Sequence, residues 1–276
     1  LEAALLGPLV ERQSRDVVLT PFGRQVLETA ERILGEVSAL EQGARRRGGM
    51  TERLSLGVIP TIAPYFLPGA LAALRTSDIS LDVEVTESKT DTLLDQLAAG
   101  ELDACVIALP AERDGVVAVP LFEDRFLLAG SAGRLEPLHE SISPEGLSES
   151  QLLLLEDGHC LTDQALEVCG RARGHTRINM SASSLATLAR LVEAGFGLTL
   201  MPEIAALTET RAAGGMVLRR FAEPEPARRI GLVRRATTPP GDWFGALAAL
   251  LTGVGEELVV AARDRFAPRD APPPPS

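Results

Sequence analysis

Lysine is all but missing from this chain. Lys89 is the single lysine in 276 residues, and arginine supplies the other 26 of the 27 basic side chains. That bias reflects genome composition more than chemistry. Cysteine is scarce too: three residues, too few for a stapled secreted fold. They point to a reducing compartment, where thiols are either reactive or simply buried. No stretch of 18 or more apolar residues runs free of charge, which argues against a membrane span. Leu1 to Leu6 is apolar, but Glu2 interrupts it and no basic flank precedes it, so it does not read as a signal peptide. Excess positive charge is absent as well: the net charge is −11, which argues against nucleic-acid binding by the surface as a whole. The imbalance is uneven. Residues 1–50 carry seven acidic and seven basic side chains, so the whole deficit belongs to residues 51–276. With 45% hydrophobic residues, the chain is long enough for two domains with real cores. These observations describe a soluble cytoplasmic protein.

The most informative stretch is LLLLEDGHCLTDQALEVC, Leu152 to Cys169. Four leucines predict a buried strand, Glu156-Asp157-Gly158 a turn, and Thr162 to Val168 a helix. Cys160 then stands in the loop or first turn leading into that helix, where free backbone N–H groups and the helix dipole favour negative charge on sulfur. His159 can donate to the sulfur, and Asp163 and Gln164 offer polar partners to whatever it attacks. Cys169 lies far enough along a helix to put the two α-carbons about 13–14 Å apart. A disulfide needs about 4.4–6.8 Å. The two sulfurs can pair only if the segment unwinds, so such a bond is a switch rather than a staple. Ordinary buried thiols are the commoner fate of intracellular cysteine. The turn favours the reactive reading for Cys160; for Cys169, on an amphipathic face with Ala165 and Leu166, both readings stay open.

Taken in order, Leu9 to Arg12 and Val17 to Leu19 predict two short strands, and Thr20-Pro21 a helix start with Thr as N-cap and Pro at the first helical position. A long helix from Phe22 to about Arg47 carries an apolar stripe suited to pairing with another helix, and Arg45-Arg46-Arg47-Gly48-Gly49 ends it as a hinge. Strands at Leu54–Ile59, Leu81–Thr86 and Leu102–Leu109 alternate with helices at Tyr65–Arg75 and Thr90–Ala99, which predicts a parallel, doubly wound sheet. Ligands of such sheets bind beyond the strand C-termini. That brings Thr61 and the segment Ser88 to Thr90 near a cleft, while Cys105 lies in a core strand. Val119 to Ala129 crosses into a second half, Arg228 to Val233 returns, and Trp243 to about Arg263 closes the fold. Pro268 and Pro272–Pro275 lie in a disordered tail.

EDGHCLxDQA with a second cysteine nine residues later resembles the peroxide-sensing loop of OxyR-type regulators in the LysR family. LVERQSRDVVLTPFG (9–23) resembles the wing of their winged helix-turn-helix, and LLxxLxxGxLD (93–103) and EAGFGLTLMPE (193–203) resemble their effector domains. Thr162 departs from the pattern, standing where these proteins commonly carry Arg, which removes a cation near the sulfur. The resemblance implies an α/β fold of two doubly wound subdomains, of the type II periplasmic-binding-protein kind, preceded by a wing remnant and a linker helix. The expected boundaries are 1–20 (wing), 21–49 (linker and dimerisation helix), 50–124 with 228–263 (subdomain I), 125–227 (subdomain II with the redox loop) and 264–276 (tail).

It further implies a transcriptional activator of the oxidative-stress response, not an enzyme and without metal or other cofactor. Peroxide would be held beside Cys160 by Thr61, Thr90, His159 and Asp163, with Arg228 matching a further family position. Cys160 would be oxidised and condense with Cys169, and cellular thiol reductants would reset the pair. The expected partners are promoter DNA, hydrogen peroxide and other copies of the chain in a homodimer or homotetramer, with no membrane. Arg12 and Arg15 are candidate phosphate contacts, although DNA reading is expected to be impaired because the recognition helix does not precede the wing. A LysR-type regulator gated by a small organic effector, with idle cysteines, is the alternative. A thiol peroxidase is a more distant one.

Overall fold

The computed structural model describes residues 1–12, 17–46, 53–77, 82–138, 142–147, 152–156, 158–169, 181–238 and 242–267. Arg15, Asp157, the hinge after Arg46 and the proline-rich tail from Pro268 lie outside them. A short helix α1 (Glu2–Leu5) precedes an antiparallel ribbon of β1 (Val10–Arg12) and β2 (Val17–Leu19). Thr20 then starts α2 (Pro21–Arg46): its Oγ1 accepts from the Gly23 amide at 2.8 Å and donates to the Pro8 carbonyl at 2.7 Å. Both capping roles follow from residue type, a hydroxyl before a proline whose missing N–H costs nothing at the first helical position. Phe22, Leu27, Ile33 and Val37 of α2 are exposed in the single chain.

The first half is β3 (Arg53–Val58), α3 (Ala63–Thr76), β4 (Asp82–Glu87), α4 (Thr90–Ala99) and β5 (Ala104–Leu109). β3 pairs in parallel with both β4 and β5, which puts the first strand in the middle. Its residues are fully buried from Leu56 to Val58, as expected when helices cover both faces. Leu93, Leu94 and Leu97 form the buried face of α4, and Gly100, at φ +80°, ends it with its N–H on the Gln96 and Leu97 carbonyls. A β-carbon there would be strained in that left-handed conformation.

The chain then enters β6 (Val116–Ser131), longer than the Val119–Ala129 crossing expected. After α5 (Ala132–Leu135) come β7 (Leu154–Leu155), α6 (Cys160–Val168), β8 (Ser181–Ala182), α7 (Leu185–Glu193), β9 (Thr199–Pro202), α8 (Glu203–Ala212), β10 (Met216–Arg220), β11 (Ala227–Arg235) and α9 (Asp242–Arg265). The second half repeats the first. β7 is parallel to β8 on one side and bridges in parallel through Leu152 to Leu198 on the other. In each half an antiparallel strand lies beside the third: β11 beside β5, and β6 beside β9. β6 belongs to both halves, pairing with β11 up to Arg125 and with β9 from Phe126.

Two apolar cores result. One gathers β3, β5, α3, α4 and α9; the other gathers the second part of β6 with α6, α7 and α8. α9 is long and apolar enough to cross a membrane by length and composition. Its apolar content has another use: Leu247, Leu251, Val259 and Ala262 are buried, and α9 packs on α3, α8 and β6. It runs to Arg265, so Asp264 and Arg265 are helical where the tail was expected to begin.

Candidate functional site

Three helices, α3, α4 and α6, each begin just beyond the C-terminal end of a strand, and none has a side-chain cap. Uncapped first-turn amides carry the positive end of the helix dipole and suit an anion or a developing negative charge. In open α/β sheets this edge is where ligands bind.

Cys160 is the first residue of α6, with His159 as N-cap. The rest of α6 is anchored in the second core through Leu161, Ala165 and, just beyond the helix, Cys169. Cys160 itself is half-buried and packs against the first core. The thiol is thus held by one half of the fold against the other. His159 is buried, and among the described residues its Nε2 has no hydrogen-bond partner, with Glu156 Oε1 lying 3.7 Å away. Burial, and after it the positive charge of Lys89, hold the imidazole below its ordinary range. Lys89, the N-cap residue of α4, reaches Glu156 at 3.2 Å and ties the two halves at this point.

Thr90 opens α4 beside Lys89, and its Oγ1 is buried without a partner among the described residues. Gln164 Oε1, one helical turn beyond Cys160, is also buried without a partner among the described residues. Asp163 lies exposed in the first turn of α6.

Thr61 and Arg228 form a second group. Arg228 Nη1 donates to Thr61 Oγ1 at 2.9 Å, and its Nε and Nη2 both lie 2.9 Å from Asp124 Oδ2. Asp124 Oδ1 accepts from the Ile204 amide at the start of α8, at 3.1 Å. The Arg228 and Asp124 side chains are fully buried. Burial pushes the Asp124 carboxyl above its ordinary value, opposed by Arg228 and the Ile204 amide. Close by, Tyr65 donates to Glu209 at 2.6 Å and joins α3 to α8 across the halves.

Of the residues singled out from sequence, Thr61 and Arg228 are in direct contact, while His159 and Cys160 share the start of α6. Cys169 is in the second core at the far end of α6, apart from Cys160, and no disulfide joins any of the three cysteines. Cys105 is fully buried in β5, where desolvation pushes its thiol up to about 12. Arg12 ends β1, in the ribbon remote from these groups in sequence, and Arg15 lies outside the described residues. Sequence reasoning did not single out Asp124, Glu156 or Lys89 as site residues. The one signal was Lys89's standing as the sole lysine.

The LysR substrate binding domain family matches residues 47–255. The chain belongs to the LysR family. Among curated LysR-family relatives, a probable hydrogen peroxide-inducible genes activator from Streptomyces viridosporus is 40% identical over 267 residues, covering 94% of this chain and 84% of that protein. The DNA-binding transcriptional dual regulator OxyR of Escherichia coli K12 is 38% identical over 249 residues, covering 90% and 81%. An H2O2-bound cysteine mutant of Corynebacterium glutamicum OxyR superposes with a TM-score of 0.74 at 31% identity, covering 96% of this chain and 84% of that one. Within the LysR family the chain is therefore OxyR-like.

Thr162 is the residue that the resemblance set apart from the loop pattern. Its side chain is buried and donates to the Leu155 carbonyl at 2.9 Å, pinning the first turn of α6 to the end of β7. The expected loss of a cation is thus accompanied by a structural tie.

Proposed function

We propose that the chain is the sensing part of a peroxide-responsive transcription activator, with Cys160 as the oxidised residue and Cys169 as its resolving partner. The observation that carries this is the position of Cys160: first residue of a helix without a side-chain cap, half-buried between the two cores, beside a buried imidazole whose Nε2 has no partner among the described residues. The Cys160 thiolate attacks one peroxide oxygen, the O–O bond breaks, and sulfenic acid and hydroxide form. Thr90, Gln164 and His159 provide polar atoms, unpaired among the described residues, to hold peroxide and the departing oxygen, and the amides at the start of α6 stabilise the negative charge. Thr61 is held by Arg228 and lines the same edge, and Asp163 faces solvent from the first turn. The sulfenic acid then condenses with the Cys169 thiol, releasing water and forming the disulfide. Cellular dithiols return two electrons to reset it. The disulfide requires α6 to unwind, and that change is transmitted to promoter DNA through copies paired along the exposed apolar stripe of α2. The protein works in this way as a regulator in the reducing cytoplasm and not as a turnover enzyme.

The test is mass spectrometry of the reduced chain after a near-stoichiometric dose of hydrogen peroxide, followed by thiol alkylation. A Cys160–Cys169 link is expected, with sulfenic acid accumulating on Cys160 in a Cys169→Ser chain. Cys160 remaining alkylatable at that dose overturns the reading.

A further inference from the structure

A charged contact on the Cys160 turn involves a residue type that the chain otherwise avoids. Arginine stands at 26 of the 27 basic positions, and the one lysine, Lys89, is at the start of α4 facing the Cys160 turn. A site needing only positive charge is served by arginine throughout the rest of the chain. This one has a compact ammonium on a flexible stem. The reason is visible in the turn. A β-carbon on Gly158 would stand 3.1 Å from Lys89 Cδ and 3.5 Å from its Nζ, so the lysine stem lies flat on a glycine whose φ is +89°. The ammonium then meets Glu156 Oε1 at 3.2 Å, and the same oxygen is 3.7 Å from His159 Nε2. Lys89 thus grips the turn two and four residues ahead of Cys160.

Resting on the sensor reading above, we propose that Lys89 is a positioning residue for peroxide sensing. It ties Glu156 and Gly158 to the start of α4, and so holds Cys160 beside the polar atoms of that helix. The clamp acts through Glu156 and not on peroxide itself. It favours the first chemical step, in which Cys160 must stand at the cleft, and restrains the second, in which Cys160 must leave it for Cys169. Lys89 also contributes to the lowered titration of its neighbour His159. Burial and then the Lys89 charge lower the His159 titration, while Glu156 raises it; these are the charged groups that face the imidazole among the described residues.

The experiment compares the full chain with Lys89→Gln, Glu156→Gln, the double change and Lys89→Arg. Sulfenic acid formation by hydrogen peroxide is followed in a Cys169→Ser background, and disulfide closure with Cys169 present. Both Lys89 and Glu156 are partly exposed, so each glutamine change is expected to slow sulfenic acid formation about two- to fivefold at low salt. Disulfide closure should not slow. The double change should be no slower than either single one, and Lys89→Arg, which keeps the charge but not the compact ammonium and its stem on Gly158, should keep only part of the rate. A purely structural contact would not reproduce the pH signature: the midpoint assigned to His159 should move up in Lys89→Gln and down in Glu156→Gln. Rates and midpoints equal to wild type in both single variants overturn this inference alone. A wild-type chain that forms no sulfenic acid overturns the sensor reading and this inference with it.

Discussion

Disulfide formation between Cys160 and Cys169 should be opposed by the docking of α6, and the size of that opposition can be measured by weakening the docking. α6 spans Cys160–Val168 with Cys169 as its C-cap, so the two α-carbons stand about 13–14 Å apart at 1.5 Å per residue. Closing to the 4.4–6.8 Å of a disulfide removes roughly half of that distance, which no helical turn survives. Leu161, 3% exposed in the second core, must leave its place when the helix unwinds. Leu161→Ala therefore destabilises the reduced form by about 2–4 kcal/mol, the usual cost of truncating a buried leucine, and leaves the oxidised form nearly untouched.

Taking 30 mV as about 1.4 kcal/mol for a two-electron couple, the reduction potential of the pair should become more negative by about 40–90 mV. The assay is equilibration against defined ratios of reduced to oxidised dithiothreitol or glutathione, with the disulfide fraction read by alkylation and mass. Leu188→Ala is the control. Leu188 is buried in the same core, but on α7, outside the 160–169 segment. It should lower the overall stability by a similar amount and leave the potential within error of wild type. If Leu161→Ala destabilises the reduced chain and the potential does not move, the disulfide forms without undocking α6, and the reasoning fails.

Arg228→Met should cost about 3–5 kcal/mol in urea unfolding, because it strands the buried Asp124 carboxylate. The double change Arg228→Met with Asp124→Leu should recover much of that loss, and a full additive penalty would show that the pair is not coupled. Because burial and Lys89 hold the folded-state His159 titration below its ordinary value, the unfolded chain binds that proton more readily. The stability from this site is complete above the unfolded value of about 6.5 and is lost as pH falls through the folded value, so thermal unfolding of the reduced chain should show a downward slope on acidification that His159→Gln flattens. Thr162→Val keeps the volume but leaves the buried Leu155 carbonyl without its donor, and should cost about 1 kcal/mol in the same unfolding assay.

The parts of the fold that could be read from sequence are those in which the information is local. Thr20-Pro21 marks the start of α2 because capping depends on adjacent residues, and the leucines of α4 declare their buried face by their spacing. The turn before Cys160 is equally local: Gly158, His159 and Cys160 lie where the residue types suggest, at the start of a helix. What could not be read depends on residues distant in the chain. Nothing near Asp124 signals Arg228, 104 residues away, or the amide of Ile204, 80 residues away. Nothing near Glu203 signals that it will be fully buried between Arg220 and Arg263. The length of β6 was underestimated for the same reason, since its ends are set by pairing with β11 and β10 and not by its own composition. Lys89 falls between these cases. Its rarity is visible in the sequence, but its reason appears only when α4 and the Cys160 turn are brought together, where a glycine leaves room for the stem and Glu156 receives the charge. The residues proposed to do chemistry in this site are thus announced locally, whereas those that hold them across the cleft are specified only by the assembled fold.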